Sequence, residues 1–196
     1  MEGKEPQEAK LVGLPQPILV TVEDLFEMPE DGNRYELIDG RLHVTPPPTT
    51  RHQRVVMQVI LRLAAWSEAQ NRGKWFFAPC GVILDDTTMF QPDAFFVSRE
   101  RVAEIVQEKA VYGAPDLIVE VLSPGTARRD RTVKTLAYAS SGVREYWLIA
   151  PDAACVTVLT LVGARYEELG LVSGARTIPS RVLPDLAVRA EELFEY

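Results

Sequence analysis

The sequence contains few cysteines and no long apolar run. Its two cysteines, Cys80 and Cys155, have no second ligand at metal-binding spacing, which excludes a zinc ribbon and favours buried thiols in a reducing compartment. No uninterrupted apolar stretch approaches the roughly 20 residues of a membrane-spanning helix. Residues 1–5 (MEGKE) lack the apolar centre of a signal peptide. These absences predict a cytoplasmic protein that does not enter a membrane.

An excess of positive charge is also missing. The 196 residues include 21 Lys and Arg against 28 Asp and Glu, which gives a net charge of -7 and a pI of about 5.0. A strongly basic footprint would indicate nucleic-acid binding, so any phosphate-binding surface here must be a local patch, or a bound metal must supply part of the positive charge. With 46% hydrophobic residues, the chain is long enough for one domain with its own core.

Two acids occur where apolar residues are expected. Glu120 interrupts residues 117–122 (LIVEVL), a run typical of a strand that is buried on both faces. A lone ionised carboxylate there is strongly destabilising unless a cation or several donors meet it. Asp93 directly precedes a second apolar run, residues 94–97 (AFFV). Taken singly, Asp93 could be a turn or cap residue after Pro92 and Glu120 a buried acid paired with an arginine; together they predict a metal site.

Apolar periodicity and turn residues predict one α/β (α+β) domain over residues 18–196, preceded by a polar, proline-containing N-terminal arm at residues 1–17. The predicted helices cover residues 22–28, 51–71, 99–109, 126–140 and 191–194. The predicted strands cover residues 34–38, 41–44, 74–78, 81–84, 93–97, 117–122, 143–149, 154–161 and 165–171, with a strand or loop at 184–188. The dipeptide Asp39–Gly40 between the first two strands is a strong hairpin signal.

The helix predicted for residues 126–140 is rich in cations. These are Arg128, Arg129, Arg131 and Lys134. Such a run indicates either a patch that contacts phosphates or an ordinary solvated face. A helix that leaves the end of the Glu120 strand would bring Lys134 back over that strand, on the side that it shares with Asp130.

These residues together can provide the parts of a phosphodiester hydrolase. A hard divalent metal is bound by carboxylate oxygens and backbone carbonyls, which Asp93, Glu120 and the carbonyl of Val121 would supply. The metal would lower the pKa of a bound water and stabilise charge on the phosphate. Lys134 would position that water or neutralise the developing charge.

Several long motifs, in this order along the chain, resemble the Uma family. They are residues 34–40 (RYELIDG), 92–93 (PD), 115–124 (PDLIVEVLSP), Asp130 with Lys134, and 142–147 (GVREYW). The resemblance extends over about residues 20–195, and the Uma family is a large bacterial group of restriction-endonuclease-like proteins in the PD-(D/E)xK superfamily. It implies an αβββαβ core, here with an N-terminal hairpin and extra C-terminal strands. It also implies an endonuclease that acts on nucleic acid, with DNA expected, and that uses Mg²⁺ (or Mn²⁺). In this reading Asp93 is the motif aspartate and Glu120 occupies the (D/E) position.

One position departs from the superfamily pattern. The lysine of that pattern lies two residues after the second acid, where this chain has Leu122. Lys134 on the following helix could serve as a migrated lysine. The alternative is a catalytically silent module that keeps the fold and binds nucleic acid or another partner; Leu122 and the acidic net charge favour it.

Two further residues are candidates for the site. The resemblance makes Glu36 a third acid, with an exposed strand carboxylate as the alternative. His52 at the start of the long helix could face the cleft as a ligand, a base or a phosphate contact, or it could be a capping or surface residue. Restriction-like enzymes often dimerise to cut two strands, so residues 34–44 are a candidate homodimer interface by analogy.

Overall fold

The computed structural model describes residues 20–29 and 31–195, so the predicted arm of residues 1–17 lies outside it. The helical segments are α1 (Val22–Phe26), α2 (Thr50–Ala69), α3 (Arg99–Ile105), α4 (Ala127–Arg129), a π-helical turn (Asp130–Lys134), α5 (Thr135–Ser140) and a 3-10 turn (Ala190–Leu193). The strands are β1 (Arg34–Ile38), β2 (Arg41–Thr45), β3 (Gly73–Phe77), β4 (Val82–Asp85), β5 (Thr88–Phe90), β6 (Ala94–Ser98), β7 (Val111–Tyr112), β8 (Leu117–Val121), β9 (Glu145–Ala150), β10 (Cys155–Val162) and β11 (Arg165–Ser173). Within these ranges, no helix is long and apolar enough to cross a membrane.

A six-stranded sheet forms the centre of the fold. Its strands follow the order β11-β10-β9-β8-β6-β3, with β8 and β9 parallel and the other neighbours antiparallel. The parallel pair requires a crossover, which the helical segment after β8 provides. Helix α2, strands β3, β6 and β8, this crossover and β9 reproduce the predicted αβββαβ order, and β10 and β11 are the predicted extra strands. The predicted fold class is confirmed.

A second, five-stranded sheet contains the N-terminal hairpin, in the order β2-β1-β5-β4-β7. Asp39 and Gly40 in the hairpin turn both have positive φ, 48° and 71°, as the predicted turn requires. The sequence did not predict β5 and β7, because these strands have only three and two residues and pair with segments distant in the chain. The pairing of β5 with β1 joins the hairpin to the segment directly before Asp93.

The apolar core lies on both faces of the central sheet. Side chains of a strand alternate between faces, and in β8 Leu117, Val119 and Val121 pack in the core that contains α2. Ile118 belongs to the core on the other face. Glu120 follows the alternation of Ile118, so its carboxylate lies on the face that the crossover helix covers.

The crossover helix predicted for residues 126–140 is present but is not a continuous α-helix. The π-helical turn Asp130–Lys134 separates α4 from α5. A π turn inserts an extra residue into the helix and often occurs at functional sites. Here both of its end residues, Asp130 and Lys134, are buried. One smaller prediction was wrong, because α3 ends at Ile105 and not at residue 109. Residues 184–188, predicted as a strand or loop, form a loop.

Candidate active site

A cleft of about 330 Å³ opens beside the hairpin, at the ends of β6 and β8. Residues 44–49 form one wall, and residues 123–126 after β8 form another. Seven of the residues singled out in the sequence line this cleft: Glu36, His52, Asp93, Glu120, Arg129, Asp130 and Lys134. The structure therefore brings together residues from two sheets, from α2 and from the crossover helix.

Asp93 is a buried carboxylate with three donors. Its Oδ1 accepts a hydrogen bond of 2.8 Å from Nη2 of Arg34. Its Oδ2 accepts one of 3.1 Å from Nε2 of His52 and one of 2.7 Å from the backbone N–H of Val121. Burial alone would raise the pKa of Asp93, but the His52 hydrogen bond and the charge of Arg34 outweigh it and hold that pKa at about 2.

Pro92 explains why the backbone N–H of Val121 donates to a side chain and not to a neighbouring strand. Ala94 pairs with Val119 across β6 and β8, so extending this register by two residues places Pro92 opposite Val121. Proline has no N–H to donate to the facing carbonyl. The ladder therefore ends at Ala94, and the Val121 N–H donates to Asp93 instead.

Glu120 meets two donors from the crossover helix. Its Oε1 accepts hydrogen bonds of 2.8 Å from Nζ of Lys134 and 3.0 Å from the hydroxyl of Tyr138. Burial is the main reason why the pKa of Glu120 rises to about 8; Lys134 opposes this rise and Asp93 adds to it. The arginine partner considered for Glu120 from the sequence is a lysine in the structure.

Lys134 is buried, so it is not a solvated helix lysine. Its ammonium donates to Glu120 and, at 2.8 Å, to Oε1 of Glu36 on β1. Oδ1 of Asp130 lies 3.6 Å away. Burial alone would lower the pKa of Lys134, but the charges of Glu120 and Glu36 raise it above its usual value, so the amine stays protonated.

Glu36 is fully buried, which overturns the alternative of an exposed strand carboxylate. Besides Lys134, its carboxylate meets the backbone N–H of Gln91 at 3.2 Å and Nη2 of Arg129 at 3.3 Å. Burial would raise the pKa of Glu36, but the charge of Lys134 brings it below its usual value. The hairpin is thus tied to the crossover helix by an ion pair.

His52 lies at the start of α2 and faces Asp93, not the surface. Because the carboxylate accepts, Nε2 carries the proton in this contact. Nδ1 of His52 is buried and has no hydrogen-bond partner among residues 20–29 and 31–195. A cap is present at this helix end, but Thr49 supplies it by accepting from the backbone N–H of His52.

The cleft contains more carboxylates than permanent cations. The four carboxylates are Glu36, Asp93, Glu120 and Asp130, and the three cations are Arg34, Arg129 and Lys134. With all four acids ionised, the group has one negative charge in excess. Burial is the main cause of the raised pKa values of Glu120 and Asp130, and the neighbouring carboxylates add to it.

The oxygen atoms at this edge fit a hard divalent cation. In the described ranges, no three Asp, Glu, His or Cys side chains gather closely enough to hold a metal alone. A magnesium ion, however, commonly takes one or two carboxylates and completes its shell with water and substrate oxygens. Glu120 offers Oε2, which accepts no hydrogen bond from the described residues. Asp93 and the Val121 carbonyl, both predicted from the sequence, would be the further oxygen donors.

The three predicted arginines take different positions. Arg129 lines the cleft, where it contacts Glu36 and donates to Oγ1 of Thr45 at 2.9 Å. Arg128 and Arg131 are exposed and do not line the cleft. Arg129 is therefore an internal contact, whereas Arg128 and Arg131 face solvent.

Sequence reasoning assigned no role to Arg34 or Tyr138. Arg34 opens the RYELIDG motif, but its contact with Asp93 spans 59 residues and has no local signal. Tyr138 does have one, since Asp130, Lys134 and Tyr138 follow one another at steps of four residues.

Comparisons with known proteins agree with this fold. The chain is similar in structure to a protein from Anabaena variabilis ATCC 29413 described as "a putative nuclease belonging to DUF820", with a TM-score of 0.74 and 20% sequence identity. The match covers 89% of this chain and 97% of the other. At that identity, the likeness establishes a shared fold. No curated protein matches this chain.

The family comparison extends over most of the sequence. Residues 22–191 match the family model described as "Uma2: Putative restriction endonuclease". This range includes both sheets up to the C-terminal 3-10 turn and every residue of the cleft. The match agrees with the motifs that run from the hairpin to β9. This protein belongs to the Uma2 family.

Proposed function

We propose that this protein is a metal-dependent endonuclease that hydrolyses phosphodiester bonds of nucleic acid, with DNA as the expected substrate. The observation that carries the proposal is the position of Lys134, whose ammonium lies 2.8 Å from Glu120 although Leu122 fills the usual lysine position. Asp93 and Glu120 stand at the ends of adjacent strands beside it. Membership of a family described as "Putative restriction endonuclease" supports the same chemistry.

Each residue has a distinct proposed role. Asp93, Glu120 and the carbonyl of Val121 would hold Mg²⁺ (or Mn²⁺), which when bound activates a water and stabilises charge on the phosphate. Lys134 stays protonated, so it acts as a cation near the developing charge and not as a general base. Glu36 holds the Lys134 ammonium in place from the hairpin.

Positive charge at the mouth of the cleft is suited to a polyanion. Arg34 and Arg129 line the cleft and are partly exposed. Arg128 and Arg131 lie on the outer face of the same helical segment and are proposed as contacts to phosphates further along the strand. A local patch of this kind would let a protein with a net charge of -7 bind nucleic acid at one place on its surface.

A catalytically silent binding module is the second candidate. Arg34 on Asp93 favours it, because a guanidinium already satisfies the motif aspartate. Such a module would bind nucleic acid without cutting it in Mg²⁺ or Mn²⁺. The two candidates therefore differ in whether the protein cleaves the nucleic acid that it binds.

Nicking of supercoiled plasmid, with single-stranded DNA and RNA in parallel, tests the proposal. We expect cleavage that needs Mg²⁺ or Mn²⁺ and that disappears in Asp93→Asn and Glu120→Gln. Glu104→Gln, at an exposed position on α3, is the matched control and should cut like the wild type. Cleavage that survives in both site variants would remove the assignment, and binding without cleavage by the wild type would support the silent module.

A further inference from the structure

Arg34 and His52 hold the two oxygens of Asp93 in different ways. Oδ2 is fixed by the main chain of β8 and by His52, whereas Oδ1 has the Arg34 guanidinium as its donor at 2.8 Å. Arg34 comes from the hairpin sheet and not from the central sheet that carries Asp93. The Arg34 contact with Oδ1 can therefore be lost while Oδ2 keeps its hydrogen bond to the backbone of β8.

A divalent cation on Asp93 and a guanidinium on the same carboxylate repel each other. At separations near 4 Å, like charges in a protein interact strongly even with partial solvent screening. An arginine side chain cannot relieve this repulsion by losing its proton, whereas His52 can donate from a neutral imidazole. A metal on Asp93 therefore favours movement of Arg34 away from the carboxylate.

The surroundings of Arg34 leave room for that movement. Its side chain is 18% exposed, whereas that of Asp93 is 2% exposed, so Arg34 is the more accessible of the two side chains. It also lines the cleft. Lys134 differs in this respect, because it is enclosed between Glu120 and Glu36 and is almost without exposure.

We propose that Arg34 takes the place of the metal on Asp93 in the metal-free protein and swings into the cleft when the metal binds, where it contacts a substrate phosphate. This rests on the metal site of the proposed function. Arginine matches phosphate oxygens through two parallel hydrogen bonds. The exchange keeps Asp93 charge-compensated in both states and makes the phosphate contact available only in the metal-loaded protein.

Calorimetric titration of the full chain with Mn²⁺ or Mg²⁺ alone, without nucleic acid, measures the competition directly. We expect Arg34→Gln to bind Mn²⁺ at least tenfold more tightly than the wild type, since no cation opposes the metal. Arg34→Lys keeps the charge and should stay within about threefold of the wild type. Arg176→Gln, at an exposed position away from the cleft, is the matched control and should not differ.

A measurement on the wild type covers the case in which Arg34→Gln does not fold. Phenylglyoxal modifies accessible guanidinium groups, and peptide mass spectrometry reads the modification at each arginine. The modification rate of Arg34 should rise at least threefold in saturating Mn²⁺, whereas the rate of Arg176 should stay constant.

The outcomes separate this inference from the proposed function. Equal or weaker Mn²⁺ binding in Arg34→Gln, or an Arg34 modification rate that Mn²⁺ does not change, would overturn the exchange and leave the metal site standing. No binding of either metal by the wild type and the variant would remove both.

Discussion

The ammonium of Lys134 lies 2.8 Å from Oε1 of Glu36, a residue 98 positions earlier in the chain. This contact joins the crossover helix of the central sheet to the N-terminal hairpin of the second sheet. Because Lys134 also donates to Glu120, the hairpin takes part in holding the candidate site. We therefore propose that Glu36 is a positioning residue that acts through Lys134.

Glu36→Gln should weaken both the fold and the site. The amide keeps the size of the side chain but leaves Lys134 with one carboxylate fewer in a buried group, and breaking a buried ion pair typically costs about 3 kcal/mol or more. Urea unfolding measures the free energy of unfolding, and the nicking assay measures the loss of turnover. Glu104→Gln on exposed α3 controls for the chemical change. A Glu36→Gln protein as stable and as active as this control would exclude the role.

Lys134→Met should abolish cleavage and destabilise the protein at neutral pH by about 3–5 kcal/mol. The reason is that Glu36, whose pKa Lys134 holds below its usual value against the effect of burial, would be a buried carboxylate without that cation. At pH 4 Glu36 can take up a proton instead, so the stability difference from the wild type should shrink there. A difference that is the same at pH 4 and pH 7 would show that lost packing, and not lost charge, is the cause.

Asp93 should make the stability of the protein sensitive to acid. Its pKa is about 2 in the folded protein against 3.8 ordinarily, so its contribution is complete above pH 4 and is lost as the pH falls towards 2. Nearly two pKa units correspond to about 2 kcal/mol. Unfolding of the wild type and of Asp93→Asn between pH 5 and pH 2 should show their difference decreasing by that amount. Parallel curves would contradict the lowered pKa.

Glu120, in contrast to Asp93, should make the metal-free protein less stable as the pH rises. Its pKa is raised to about 8 from 4.5, so the unfolded chain releases the proton first and the folded state loses stability between pH 4.5 and about 8. Glu120→Gln cannot ionise and should escape this loss. Its stability relative to the wild type should therefore rise across this window and stay constant above it, when both are measured in a chelator. A constant difference across the window would argue against the raised pKa.

Removal of the two exposed arginines should weaken nucleic-acid binding through long-range charge. If Arg128 and Arg131 contact phosphates, Arg128→Gln with Arg131→Gln should lower the salt dependence of binding by about one to two units of slope. Fluorescence anisotropy with labelled DNA, in a buffer that contains a divalent metal that permits binding, measures the binding constant at several salt concentrations and so gives this slope. An unchanged slope would assign both residues to an ordinary solvated face, and Arg176→Gln serves as the control.

Local sequence was sufficient for the central sheet and for three of the candidate residues. Glu120 stands out because it interrupts an apolar strand, and Asp93 because it precedes another. Lys134 could be placed near Glu120 because a crossover helix that leaves the end of a strand returns over it. In each case the signal lies within a few residues or within one strand-helix unit.

Contacts between segments far apart in the chain could not be predicted in this way. The burial of Glu36, the attachment of Arg34 to Asp93 and the approach of His52 depend on how the hairpin and α2 pack against the central sheet. Strands β5 and β7 are too short to have a periodic pattern of their own. The π-helical turn has no residue pattern that marks it in advance.

The sequence by itself determined the elements and their order, because apolar alternation and helical periodicity record which face of each element is buried. It also determined that a carboxylate on β8 needed a cation. The tertiary structure decided which cation pairs with which acid. Lys134 forms ion pairs with Glu120 and Glu36, and Arg34 forms one with Asp93. Those pairings depend on distances of a few ångströms between distant segments, and only the packing of two sheets and a helix sets such distances.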